Sequence, residues 1–193
     1  RNSAYALTPP VWRHRTPRPA ALTAFVVATT AGGLTSALLF WLLSGLLAPL
    51  APTVRLWVFV VLAALVLLVG HGFVGLRLPQ NRQQIPRSVF DRSPTTAAAR
   101  FGYELGTGLR TYLPSAAPHL LAVGLVVLGG PWWAAVALGV GFGLGRGLLP
   151  TQRALAPDAR RWDARVDLEG PVVRGGGEVL ALVGLVVAAL LRV

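Results

Sequence analysis

A long stretch without charge constrains the fold of this chain more than any other feature. Between Arg18 and Arg55 there is no Asp, Glu, Lys or Arg. A helix needs about 20 apolar residues to cross the hydrocarbon core of a bilayer. Residues 20–47 satisfy this requirement, and they are too many for the apolar region of a secretory signal. We therefore expect a retained membrane-spanning helix here.

Apolar and Arg-rich segments alternate along the rest of the chain in the same way. With 54% apolar and only 13% charged residues, the composition is poor in charge for a soluble domain. It predicts an all-α integral membrane protein with one polytopic domain. The predicted spans are residues 20–47, 56–76, 96–129, 132–149 and 179–192, separated by polar loops at 77–95 and 150–178.

The distribution of Arg predicts the orientation of these five spans. Fifteen of the 18 basic residues lie in the N-terminal segment or in and directly beside the two polar loops, Arg55 and Arg192 lie on the other side, and Arg110 lies within the third span. Because basic residues concentrate on the cytoplasmic side, the N-terminus is expected inside and both loops are expected to be cytoplasmic. The bias towards Arg, Ala, Gly, Leu and Val is typical of a GC-rich bacterial genome. These features predict a location in the bacterial cytoplasmic membrane.

The net charge of +11 bears on the partners of the chain. A nucleic-acid-binding protein would interleave its basic residues with polar and aromatic ones on a folded face. Here the Arg residues flank hydrophobic spans, which favours membrane lipids with anionic headgroups as partners and excludes nucleic acid.

The third span is too long for one straight helix across the membrane. At 1.5 Å per residue, residues 96–129 would extend about 50 Å, whereas the hydrocarbon core is about 30 Å thick. Pro114 and Pro118 each remove a helical hydrogen bond and clash with the preceding turn. We therefore expect the third helix to be broken between these two residues.

The same span carries the polar residues that are most suited to a functional site. Ionisable residues within a span are costly and for that reason often functional. The candidate polar cluster comprises Glu104, Arg110, Ser115 and His119. Alternatively, Arg110 lies at the cytoplasmic boundary and Glu104 forms an exposed pair with Arg100 one turn away.

Two further patterns predict contacts with other helices, lipids or partners. In the fourth span, Gly139, Gly143 and Gly147 fall on one helical face and permit close helix packing. In the first polar loop, hydrogen-bonding side chains between Arg residues are candidates for docking lipid headgroups or a partner. They are Arg82, Gln83, Gln84 and Arg87. The alternative for this loop is a solvated segment that only sets the topology.

Several kinds of chemistry are excluded or weakly indicated. The chain has no Cys, which excludes disulfides, thiolate metal sites and cysteine nucleophiles. His71 and His119 are conceivable haem ligands if they lie at one depth, although isolated histidines more often form hydrogen bonds in packed interiors. The sequence therefore predicts neither a metal site nor a cofactor.

Residues 101–150 resemble a repeat of the DsbD/CcdA transmembrane superfamily, including its MauF-like relatives. In that superfamily a Gly-rich helix breaks at Pro-Cys-x-x-Pro and continues into an apolar span and a second Gly-rich helix. Here Pro114-Ser115-Ala116-Ala117-Pro118 has the same spacing, and GFGLGRGLLP follows. The resemblance implies that this chain retains the helix break of the superfamily. Because Ser115 stands at the cysteine position, a thiol relay is not expected.

These patterns lead to three functional expectations. The first is a non-catalytic subunit or an assembly or maturation factor of a larger membrane complex, with other membrane protein subunits as partners. The alternative is a small transporter or channel that uses the broken third helix, because broken helices at membrane depth often mark substrate sites. A haem-binding or other membrane enzyme subunit is the least favoured, since few ionisable residues converge.

Overall fold

The computed structural model describes residue 12, residues 17–76, residue 78, residues 93–108, residue 113 and residues 115–190, with side chains up to residue 188. Within these ranges the chain is helical and contains no strand. In this described part of the chain six α-helices follow one another: α1 Pro19–Ser44, α2 Pro52–Gly70, α3 Pro94–Thr107, α4 Ala117–Leu128, α5 Trp132–Leu155 and α6 Ala159–Leu190. A short 3₁₀ turn, Gly45–Leu47, extends α1.

Proline begins most of these helices. Pro19, Pro52, Pro94 and Pro118 each stand in the first turn of a helix. A backbone N–H at that position would have no intrahelical partner, so proline loses no helical hydrogen bond there. The proline ring also favours the helical φ angle. The prolines therefore divide the apolar sequence into separate helices.

Among the residues that the structure describes, four helices are long and apolar enough to cross a membrane: Pro19–Leu47, Pro52–Gly70, Trp132–Leu155 and Ala159–Ala188. They support a multi-pass membrane protein. The apolar helix α4 has 12 residues and extends only about 18 Å, too little to cross the bilayer alone.

Helix α1 lies at the centre of the first group of helices, between α3 and α5. Helix α3 runs parallel to α1, since Gly102 lies beside Phe25 and Gly106 beside Thr29. Helix α5 runs antiparallel to α1, and its Gly143 lies beside Thr29. At these glycines the helix backbones are in contact.

Helices α2, α4 and α6 form the second group. Their buried core consists of Phe59 and Ala63 from α2, Leu120 and Val127 from α4, and Leu185 from α6. Helix α4 also joins the two groups, because Leu125 packs with residues of α1 and α5.

The break in the third span differs from its predicted position. Helix α3 ends at Thr107, because Gly108 takes the left-handed conformation (φ 69°) that commonly terminates a helix. Pro114 lies outside the described residues. Pro118 stands in the first turn of α4, where it starts the second helix and interrupts none.

The segment 150–178, predicted as a polar loop, is mostly helical. Helix α5 continues to Leu155 and α6 already begins at Ala159, so the final helix starts well before residue 179. The carboxylate of Asp158 accepts hydrogen bonds from the N–H groups of Arg160 and Arg161, at 2.9 and 3.0 Å. Asp158 thus caps the N-terminus of α6.

Candidate functional site

Side chains from α1 and from the interruption itself cap the two helix ends between α3 and α4. At the end of α3, the Ser36 hydroxyl of α1 donates to the carbonyl of Thr107 at 2.9 Å. At the start of α4, the Ser115 hydroxyl accepts from the N–H of Ala117 at 3.0 Å. Backbone groups at helix ends lack intrahelical partners, so these bonds stabilise both ends of the break.

Glu178 of α6 connects three helices at the same place. One carboxylate oxygen accepts from the N–H of Ala116 at 2.8 Å, immediately before α4. The other lies 3.0 Å from Nε2 of His71, which follows α2. The Glu178 side chain is 12% exposed, whereas that of His71 is 53% exposed. The carboxylate also suits the positive end of the α4 dipole.

A cavity of about 400 Å³ lies beside the interruption, between α1, α4 and α5. Its walls are mainly apolar and include the side chains of Phe40, Leu125, Leu138 and Phe142. The polar residues among its described lining are Ser36, Thr107 and His119. The cavity therefore combines hydrocarbon walls with a few groups able to form hydrogen bonds.

The four residues of the predicted polar cluster are not all brought together. His119 lines the cavity, whereas Ser115 caps α4. Glu104 is half-buried in α3, and its carbonyl accepts from the Thr107 hydroxyl at 2.9 Å. Arg110 lies outside the described residues.

The proposed docking residues of the first loop also lie outside the described residues; they are Arg82, Gln83, Gln84 and Arg87. The two candidate haem ligands have different surroundings, since His71 contacts Glu178 and His119 lines the cavity. In the part of the chain that the structure describes, no group of three or more His, Asp or Glu side chains could hold a metal ion.

The glycine face of α5 forms one side of the site. A Cβ on Gly143 would lie 2.6 Å from the carbonyl oxygen of Thr29, and one on Gly139 would lie 2.8 Å from Cα of Leu34. Gly147 also faces Thr29, at ordinary contact distance. These glycines bring α5 close to α1, and Gly139 itself lines the cavity.

Sequence reasoning missed two parts of the site. Glu178 resembled the last charge of a loop, although it directly precedes the apolar half of α6. Ser36 is a single hydroxyl within an apolar span, and its role depends on the carbonyl of Thr107, 71 residues away. For Ser36 the available signal was a polar residue inside an otherwise apolar helix, and for Glu178 it was a charge directly at the edge of an apolar segment.

Comparison of the chain with known protein families, curated proteins and solved structures finds no match. The fold and the site define its class as a multi-pass helical membrane protein in which an interrupted helix borders an apolar cavity.

Proposed function

We propose that this chain is a non-catalytic membrane protein that binds a small, largely apolar molecule inside the bilayer, as a small transporter or carrier does. The observation that carries the proposal is the cavity beside the interrupted helix. Its volume of about 400 Å³ lies within the range of roughly 300–1,000 Å³ that is typical of small-molecule sites.

The interruption supports this proposal because non-helical backbone is costly at membrane depth. Within lipid, unpaired N–H and C=O groups have no water to bind, so such backbone is tolerated where it is buried in protein or lines a cavity. Caps from Ser36, Ser115 and Glu178 stabilise the break here. Substrate sites of membrane transporters are often formed by discontinuous helices of this kind.

The proposed topology has five crossings, with α3 and α4 together forming the third. Both helices run parallel to α1, since Ser36 meets Thr107 and, further along, Trp41 donates to the carbonyl of Gly130 at 2.8 Å. Together α3 and α4 lie along α1 from Ala21, which is in one core cluster with Ala98 of α3, to Trp41, about 30 Å at 1.5 Å per residue and enough to cross the bilayer as a pair. The Arg distribution favours a cytoplasmic N-terminus in a bacterial cytoplasmic membrane.

Photolabelling in lipid nanodiscs tests the binding proposal. The probe is a ten-carbon alkane that carries a diazirine, and its adducts are mapped by mass spectrometry. We expect adducts on cavity residues such as His119 and Phe142 at higher yield than on exposed apolar residues of α2. Equal labelling around the whole surface would contradict the proposal.

A pair of matched variants sharpens this test. Ala122 lines the cavity, so Ala122→Phe should fill it and remove the cavity adducts. Ala64 lies on the exposed face of α2, and Ala64→Phe adds the same volume outside the cavity. The control should label like the original chain. Cavity labelling that persists in Ala122→Phe would count against binding there.

A subunit or assembly role is the second candidate, and a different face of α5 favours it. Gly141 and Gly145 have open space around them, although Gly139 and Gly143 on the same helix are in close contact with α1. Small residues on an open face allow another transmembrane helix to approach. Native mass spectrometry of the protein extracted from its own membrane tests this role. Stoichiometric partners that Gly141→Leu removes would support it, and a lone chain would contradict it.

A further inference from the structure

Three exposed tryptophans, which we call the tryptophan end, lie near the starts of two helices. Trp57 of α2 is 69% exposed, and Trp132 and Trp133 of α5 are each 61% exposed. Both helices are long and apolar enough to cross a membrane. The three side chains therefore continue the apolar surface of two spans at the point where each span begins.

Side-chain contacts place the starts of α2 and α5 at the same end of the bundle. Trp41, close to the end of α1, donates to the carbonyl of Gly130, two residues before α5 begins. Arg55, in the first turn of α2, donates to the carbonyl of Val127 at the end of α4. Trp57 is two residues from Arg55. The tryptophans of both helices thus lie at about the same level.

The tryptophan end presents little charge to its surroundings. The segments 41–57 and 127–133 meet there, and Arg55 is their only Asp, Glu, Lys or Arg. Its Nε donates to Val127, and its Nη2 lies 2.6 Å from the position of a Cβ on Gly129. The partial negative charge at the C-terminal end of α4 suits this cation. Because Arg55 is engaged within the protein, it does not create a preference for anionic lipid.

The exposed indoles also have an unused hydrogen-bond donor. The N–H of Trp41 has a protein acceptor, whereas no described residue accepts from Trp57, Trp132 or Trp133. An indole combines a large apolar ring with a single N–H donor, and it is most stable where apolar chains meet polar acceptors. Ester carbonyls and headgroup oxygens of lipids provide such acceptors at the membrane interface.

The opposite boundary of the membrane lies at a matching distance. No charge occurs between Arg18, directly before α1, and Trp41, and these 23 residues extend about 35 Å at 1.5 Å per residue. On α5, Arg153 lies about 32 Å from Trp132 by the same measure, and Arg146 between them packs over an aromatic ring of its own helix. Both distances suit a hydrocarbon core of about 30 Å.

From these observations we infer that the tryptophan end binds the interfacial layer of the bilayer. The partner is the set of ester and headgroup oxygens of lipids, and binding does not require anionic lipid. The inference concerns a surface outside the cavity, so it holds or fails independently of the proposed binding function.

Fluorescence quenching in nanodiscs tests this surface. The signal of Trp132 and Trp133 is the difference in emission between the original chain and the variant Trp132→Phe/Trp133→Phe, and Trp57→Phe gives the signal of Trp57 in the same way. We expect lipid brominated near its headgroup to quench each signal at least about twice as strongly as lipid brominated near the ends of its chains, because indole belongs at headgroup level. Adding anionic lipid should leave this ratio unchanged.

Trp12 provides the matched control. It is buried and packs against Phe25, with ring centroids 5.1 Å apart, so neither lipid should quench the signal that Trp12→Phe removes. Stronger quenching of the tryptophan end by the deep bromine, or by iodide in water, would overturn the proposed surface. Lack of quenching by all three would do the same, since another protein surface would then cover the indoles. Shallow quenching that requires anionic lipid would overturn the stated partner.

A nitroxide label gives a second measurement with every tryptophan retained, because the chain has no Cys. Ala137→Cys and Leu144→Cys place the label at exposed positions of α5, about 8 and 18 Å beyond Trp132 at 1.5 Å per residue. With the tryptophan end at the interface, the label at position 144 should lie deeper and collide relatively more with dissolved oxygen than with a water-soluble nickel chelate. Equal or greater depth at position 137 would contradict the inference, whatever the cavity binds.

Discussion

The two groups of helices pack by different means. In the glycine-packed unit, formed by α1, α3 and α5, backbones touch at residues such as Gly106 and Gly143. In the side-chain-packed unit, formed by α2, α4 and α6, larger side chains such as Phe59, Leu120 and Leu185 meet. Within the side-chain-packed unit, polar contacts at both ends of α4 connect it to its neighbours. Arg55 of α2 donates to the carbonyl of Val127 at 2.6 Å, and Glu178 of α6 caps the start of α4.

This difference indicates which cavity wall can move. Lipid is as apolar as the helices, so close van der Waals contact and hydrogen bonds determine association within the bilayer. Backbone contact leaves α1 and α5 little freedom to shift, because interdigitated cores deform poorly. Helix α4 instead meets flexible side chains and a few hydrogen bonds. We therefore expect α4 to adjust when the cavity is filled.

The largest effect should come from filling the closest backbone contact. In Gly143→Leu, the new Cβ would lie 2.6 Å from both the carbonyl oxygen of Thr29 and Cα of Thr30, so α1 and α5 must separate. We expect a loss of at least about 3 kcal/mol in the free energy of unfolding, at the upper end of overpacking costs. Circular dichroism during titration with sodium dodecyl sulfate measures it.

Gly141→Leu is the matched control for this prediction. It lies two residues away on α5 with nothing within 4 Å, and the same substitution should leave the isolated chain as stable as before. Similar stability of both variants would show that the glycine-packed unit is not held by backbone contact.

An intermediate effect is expected at the ion pair between the two units. Arg153 near the end of α5 binds Asp163 of α6 through two hydrogen bonds of 2.8 and 3.0 Å, and its side chain is only 5% exposed. Asp163→Ala removes the carboxylate from a buried cation and should cost about 3 kcal/mol of unfolding free energy. The same titration measures the loss.

An exposed pair on α6 provides the comparison. Arg165 and Glu169 lie 3.8 Å apart one turn from each other, and Glu169→Ala should change stability by less than about 0.5 kcal/mol. A small effect of Asp163→Ala as well would mean that the two units are held together without this ion pair.

The smallest effect is expected at the cap of α4. Glu178→Ala removes the acceptor for the N–H of Ala116, and a lost acceptor at a partly buried donor costs about 1–2 kcal/mol. Glu178→Gln keeps an oxygen at that position and should recover at least half of the loss. Thermal unfolding in detergent measures both variants. If Gln were as destabilising as Ala, hydrogen bonding to Ala116 would not be the role of Glu178.

The sequence indicated the class of fold because long apolar segments depend on local composition alone. Residues 20–47 and 56–76 needed only length and absence of charge, and the structure has helices Pro19–Ser44 and Pro52–Gly70 there. The glycine spacing in α5 likewise follows from helical periodicity. Local pattern therefore sufficed for features that belong to one helix.

Features that depend on contacts between two helices were harder to predict from the sequence. The end of α3 follows from the left-handed conformation of Gly108, whereas two later prolines were the stronger local signal. The helix over residues 159–178 was predicted as a polar loop because of its charged residues. One of them, Asp163, pairs with Arg153 of α5, and this pairing depends on how the two helices pack. Glu178 became part of the site only because α6 brings it to the start of α4.

Thr29 shows how the glycine-packed unit must assemble. The carbonyl oxygen of this one residue is the nearest atom to a Cβ on Gly106 of α3 and on Gly143 of α5. During synthesis α1 emerges long before either partner, and contacts between α1 and its sequence neighbour α2 are sparse. The small-residue face of α1 is therefore fully covered only after both α3 and α5 have been synthesised. Insertion of α1 and completion of the helix bundle are thus separate steps in the biosynthesis of this protein. Between these steps, the membrane insertion machinery or lipid must cover α1.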